Sequence, residues 1–174
     1  MRTPEMRAVR LFAIIILMAS FTSICGRPSE EDRIWAFLKQ TISLAEKRDL
    51  AAVMDRLTED YADFEGRDKR ATEALVQEYF RRPGIVIHLL SVKVDAIEDG
   101  VRASVRAEAM LSSGAAEIFR KLIRYAGDYY RFSLRLRKSP AAAWQVESAT
   151  WESVPLAGLF PESLAVLKKL FPDI

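Results

Sequence analysis

The sequence predicts an α+β domain: N-terminal helices, then a run of antiparallel strands, then a short C-terminal helix. Apolar residues recur at helical spacing as far as Phe80, and from Leu90 the period changes to two. Between the strands Asp99-Gly100 marks a hairpin turn, because both residue types tolerate positive φ. Helices that precede the strands instead of alternating with them exclude a βαβ order. With 174 residues, half of them apolar, the chain suits one domain with a substantial core.

Ser29, followed three residues later by Asp32, makes an N-cap with an acidic first turn. Ile34, Trp35, Phe37, Leu38, Ile42 and Ala45 then recur at helical spacing, so 30–47 is an amphipathic helix. Asp49 caps a shorter helix carrying Leu50, Val53, Met54 and Leu57. Residues 58–68 are acidic and aromatic and close on Gly66, as a loop or a short strand would. A third helix near 68–80 buries Ala71, Leu75, Val76, Tyr79 and Phe80 before Pro83-Gly84 ends it. Leu90, Val92 and Val94 begin the first long strand, and Val101 to Leu111 at odd positions form the inner face of the return strand. Residues 115–123 revert to helical spacing, with a distorted strand as the alternative. Tyr130, Phe132, Leu134 and Leu136 alternate with polar residues on a clear strand. The last strand carries Trp144 and Val146 in one phase and Ala149 and Trp151 in the other, so a bulge is expected near Glu147–Ser148. Pro161 opens a closing helix over 162–171. Trp35, Trp144 and Trp151 are expected to be largely core.

At the amino terminus Arg2, Arg7 and Arg10 precede an apolar run from Leu11 to Ala19, and small residues lead to Cys25-Gly26. That order is a secretory signal, and the run is shorter than the roughly 20 apolar residues of a membrane span. Residues 1–25 are therefore expected to be a signal segment, and 26–174 a single exported domain. Thr22-Ser23-Ile24-Cys25 resembles the lipobox of bacterial lipoproteins, which implies lipidation at Cys25. Thr22 and Ile24 depart from its usual Leu and small residue, so plain cleavage near Cys25 and an uncleaved anchor remain alternatives. Either anchor makes the membrane a partner, in the periplasm or on the outer membrane of a bacterium.

From Cys25 onward 23 basic residues balance 23 acidic ones, so no nucleic-acid partner is expected. One Cys and one His exclude a disulfide framework, a zinc ribbon and a multi-histidine metal site. No cofactor and no metal are expected. The carboxylates of 59–68 do not fit a helix-loop-helix calcium loop, because counting from Asp60 puts Ala71 where the twelfth-position Glu belongs. Helix capping by Asp68, with the other acids solvated, is the simpler account.

The element order, the turn Asp60-Tyr61-Ala62-Asp63-Phe64-Glu65-Gly66-Arg67-Asp68, the strand 129–138 and Trp144-Gln145-Val146 together resemble the nuclear transport factor 2-like (cystatin-like) superfamily. The resemblance covers about 34–152 and leaves 153–174 as an extension. It implies a cone, with helices packed on a curved sheet and a pocket between them. Isomerases, dehydratases, hydrolases and non-catalytic binding modules share that fold, so it does not choose a function.

His88 shares a phase with Leu90 and Val92, so it faces inward unless a bulge intervenes. Inside a cone it could act as a base beside Asp63 or Tyr61. Phe37, Tyr79, Phe80, His88, Leu90 and Tyr130 are the expected pocket lining. No Gly-x-Ser-x-Gly elbow is present, and Trp35 stands where a ketosteroid isomerase would want a Tyr. Arg102, Arg106, Arg131, Arg135 and Arg137 fall on the outward phase, where Asp95, Glu108 and Glu147 can pair with them. That sheet face is the candidate homodimer surface. The expected function is a non-catalytic envelope binding or interaction module. The alternative is a small-molecule isomerase, dehydratase or hydrolase using His88 with a carboxylate or Tyr.

Overall fold

The computed structural model describes residues 28–81, 84–113 and 128–170, together with Pro172. The signal segment, Cys25 and the stretch 115–123 lie outside the described residues.

Helix α1 (Glu30–Glu46) starts with a reciprocal capping box. The Ser29 hydroxyl accepts from Asp32 N at 3.1 Å, and Asp32 Oδ2 accepts from Ser29 N at 3.0 Å. Arg48, at φ 60°, turns the chain out of the helix. Asp49 then accepts from Ala52 N and caps α2 (Leu50–Met54). The acidic stretch forms β1 (Leu57–Asp63), and Asp68 caps α3 (Lys69–Phe80) by accepting from Ala71 N at 2.7 Å.

The strands β2 (Ile85–Glu98), β3 (Arg102–Ser113), β4 (Asp128–Lys138) and β5 (Trp144–Ser153) complete a five-stranded sheet in the order β1-β5-β4-β3-β2. Asp99 and Gly100, at φ 50° and 66°, form the β2–β3 turn. The return strand starts at Arg102, so Val101 belongs to the turn and is half exposed, not part of the inner face. Glu147 is the extra residue opposite the Arg135–Leu136 step, where the change of apolar phase called for a bulge. The antiparallel expectation needs one correction. Strand β1 runs parallel to β5, and the chain leaves it through α3 to enter the sheet again at β2 on the opposite edge.

The main core lies on the concave face. Ile34, Phe37 and Leu38 of α1 join Ala103, Val105 and Ala107 of β3 in one buried cluster. Trp144 is buried, while Trp35 and Trp151 are only half-buried, so the expectation of three core tryptophans holds for one. The Lys39 ammonium sits over the Trp35 ring at 5.2 Å and covers part of it.

A second core lies on the opposite face. There α4 (Pro161–Leu170), led in by the 3-10 turn Leu156–Gly158, buries Leu167 against Leu90 and Met110 of the sheet with Val154 and Leu159. The C-terminal extension therefore covers part of the face that the sequence left open to a partner.

Candidate functional site

On β4 the phase that buries Leu136 in the concave core also carries Tyr130 and Phe132. These two rings stand opposite Ala109 and Ala107 of β3, and Phe132 pairs across β5 with Trp151. The small partners leave the rings half-buried along the open end of the concave face. Tyr130 and Phe132 lie 6.3 Å apart, and Phe132 and Trp151 6.5 Å apart, both tilted. Phe64, half exposed, meets Trp151 edge-on at 4.8 Å, and the Arg67 guanidinium stands 5.4 Å from the Trp151 ring. Helix α3, which packs beside β1 and α2, contains no buried residue. Its Leu75, Val76 and Phe80 are half-buried and Tyr79 is exposed.

Asp63 closes the turn beneath the wall. Its Oδ1 accepts from the backbone N–H groups of Glu65 and Arg67, both at 2.9 Å, and its Oδ2 from Arg67 Nε at 2.6 Å. Burial pushes this carboxyl up, but the three donors of the turn more than offset it and hold it below the ordinary carboxylate value. Tyr61 shares the inward face of β1 and is buried. Burial, and then the Asp63 charge, push its hydroxyl up.

The candidate residues divide between the two faces of the sheet. Leu90 is an extra residue in β2, because Leu89 pairs with Ala109 and Ser91 already pairs with Glu108. That bulge moves the inward phase from Leu89 to Val92 and sends Leu90 to the second core. His88 stands opposite Met110, a member of that second core, so it lies on the face away from Tyr61 and Asp63. Phe37 is packed inside the main core. Tyr130 lies on the wall, and Tyr79 and Phe80 on α3. Phe132, Trp151, Phe64 and Arg67 are the wall residues absent from the expected lining. The alternation that placed Tyr130 inward also placed Phe132, so that signal was present in the sequence.

Two open clefts lie elsewhere. One, of about 260 Å³, is on the outer sheet face between Glu98, Arg102, Ser104, Arg135 and Glu147. The other, of about 160 Å³, lies between Asp55, Arg56 and Trp144. No group of three potential metal ligands occurs among the described residues.

No family model matches the sequence, and no curated protein matches it. Solved structures do. A nuclear transport factor 2-like protein with a cystatin-like fold from Novosphingobium aromaticivorans is 18% identical, covering 96% of this chain and 98% of its own at a TM-score of 0.54. A scytalone dehydratase-like protein from the same organism is 12% identical, covering 72% of this chain and 85% of its own at a TM-score of 0.58. A nuclear transport factor 2-like protein of unknown function from Pseudomonas putida is 16% identical, covering 76% of this chain and 96% of its own at a TM-score of 0.56. At these identities the likeness shows the fold alone, and that fold is nuclear transport factor 2-like.

Proposed function

We propose that this chain is an exported envelope binding module that takes a flat, apolar ligand on the wall formed by Tyr130, Phe132 and Trp151. The observation that carries the reading is that wall: three half-buried rings in one tilted row on the inner phase of β4 and β5. Half-buried aromatic surface of this kind gains free energy when a ligand covers it. The polar groups nearby support binding over turnover. Asp63 is engaged by three donors of its own turn, and His88 stands on the other face of the sheet. A base needs a free lone pair in reach of the substrate, and a partner to orient it.

Naphthol, added to the purified protein, is expected to quench Trp151 fluorescence saturably. Phe132→Ala should weaken that binding about tenfold, the scale of one lost aromatic contact. Quenching that does not saturate, or that Phe132→Ala leaves unchanged, removes the wall as the site.

The second reading is a small-molecule dehydratase, isomerase or hydrolase. The adjacency of Tyr61 and Asp63 favours it, as does the scytalone dehydratase-like neighbour. Turnover of an enone, an epoxide or a hydroxy-ketone that falls about 100-fold in Tyr61→Phe, with folding intact, would establish acid–base chemistry in place of simple binding.

Export rests on the basic, apolar and small order of residues 2–26, and tethering on Cys25. Mass spectrometry of the membrane fraction is expected to show a chain beginning at Cys25 and carrying diacylglycerol. An intact Met1 removes cleavage, and a processed chain with unmodified Cys25 removes lipidation alone.

A further inference from the structure

Helix α1 fixes which end of the domain the chain enters. Glu30 Oε2 lies 2.9 Å from Lys138 Nζ, and Lys138 N donates to Val101 O at 2.8 Å. The helix therefore begins at the end of the sheet that holds the β2–β3 and β4–β5 turns. At its other end Glu46 Oε1 accepts from Ile87 N at 3.0 Å, near the start of β2. The aromatic wall belongs to that second end, since Tyr130 lies near the start of β4 and pairs with Ser153 at the end of β5. Ser29 is four residue steps from Cys25, so an anchor on Cys25 holds the turn end within about 14 Å of the bilayer.

The turn end has the chemistry of a surface that meets phospholipid. Val101 and Ile97 are the exposed apolar residues of one turn, and Pro140 to Ala143 are all exposed on the other. Beside them opens the outer-face cleft of about 260 Å³, which α4 leaves uncovered. Two guanidiniums line its β3–β4 wall, Arg102 and Arg135, with Arg137 directly opposite Arg102 and Ser104 opposite Arg135. Arg137 is neutralised by Asp60 and by Glu147 at 3.0 Å. Among the described residues no carboxylate lies within ion-pair distance of Arg102 or Arg135, although Glu98 is their neighbour across the cleft. Two like charges held on adjacent strands repel each other, and an anion between them reverses that cost.

We infer that this end is a phospholipid-facing surface, with Arg102 and Arg135 taking a headgroup phosphate and Glu98 meeting its amine. The inference rests on the Cys25 anchor proposed above. It also turns the aromatic wall away from the membrane, toward ligands in solution.

The test uses full-length protein recovered from membranes and reconstituted into phosphatidylethanolamine–phosphatidylglycerol vesicles. Val101→Cys and, on α3, Ala74→Cys each carry a fluorophore, and spin-labelled headgroups quench it. Strong quenching at position 101 with little at 74 is expected. Arg102→Gln combined with Arg135→Gln should bring the two sites close together. Equal quenching in the parent protein overturns the surface while leaving the anchor standing. A difference that survives the double variant overturns the role of the cleft. Excess inorganic phosphate is expected to shrink the difference as a competitor for the two guanidiniums, and a difference that it leaves unchanged overturns the phosphate contact. Protein found in the soluble fraction with unmodified Cys25 overturns the anchor, and the surface with it.

Discussion

Glu108→Ala is expected to lower unfolding free energy by about 3–5 kcal/mol, the range for removing one member of a buried ion pair. Glu108 sits mid-strand on β3 and is completely buried under the C-terminal segment. Its Oε1 accepts from Arg131 Nε at 2.9 Å and Nη2 at 2.7 Å, and its Oε2 accepts from Phe160 N at 2.8 Å and the Ser163 hydroxyl at 2.6 Å. The Ser91 hydroxyl lies 2.8 Å from that of Ser163. Removing the carboxylate takes an acceptor from three residues at once, and each buried donor left unsatisfied carries a cost of its own. Glu108→Gln should rescue little, because one carboxamide oxygen cannot accept at both ends and its NH2 group would face existing donors. Phe160 gives the prediction a second readout. Its ring is held under Lys93 at 4.2 Å and Arg131 at 4.5 Å, so the segment before α4 is pinned by the same guanidinium. Losing Glu108 leaves that guanidinium with the Gly158 carbonyl at 2.6 Å and Glu152 at 3.4 Å and removes both acceptors of the Phe160–Ser163 segment, so limited proteolysis should cut near Phe160 before the rest of the domain unfolds. A Glu108→Ala protein that unfolds in urea within about 1 kcal/mol of the parent would show that the extension is held by its apolar contacts alone.

The sequence made the capped helices, the Asp99-Gly100 turn and the Glu147 bulge legible because each has a local cause. A cap needs a side-chain oxygen within three residues, a tight turn needs positive φ, and a bulge shows as a change of apolar phase. The β2 bulge at Leu90 hid from the same reasoning, since Leu89 and Leu90 are both apolar and no phase change can be seen across them. That one unreadable residue put His88 on the wrong face. Glu108 was hidden for a different reason. A glutamate in phase with Arg102 and Arg106 reads as solvent-facing, and only the docking of α4, 55 residues further on, makes it the centre of a core. The parallel partner of β1 was equally non-local. What could be read of the site was its residue types; how they divide between the two faces depended on tertiary contacts.

Asp63→Asn is expected to lower stability by about 3 kcal/mol at neutral pH, with the loss shrinking as pH falls. The value belongs at the lower end for a buried pair, because the Asp63 side chain is 1% exposed while Arg67 keeps 25%. The sign follows from the direction of the shift. The turn donors hold the folded carboxyl below its unfolded value, which is about 3.9 for Asp. The stabilisation is therefore fully present above that unfolded value and disappears as pH falls through the folded one. Asp95 and Asp60, held low by Arg106 and Arg137, give the parent an acid slope of the same sign. The informative quantity is thus the difference between parent and variant, in which those exposed pairs cancel. Urea unfolding at a series of pH values should show that difference converging toward zero in acid. A gap that stays constant with pH would mean that Asp63 acts through the shape of the turn and not through its charge. The same turn carries Phe64 and Arg67 to the Trp151 ring, so the Asn variant should also loosen naphthol binding at neutral pH, linking the ion pair to the wall it supports.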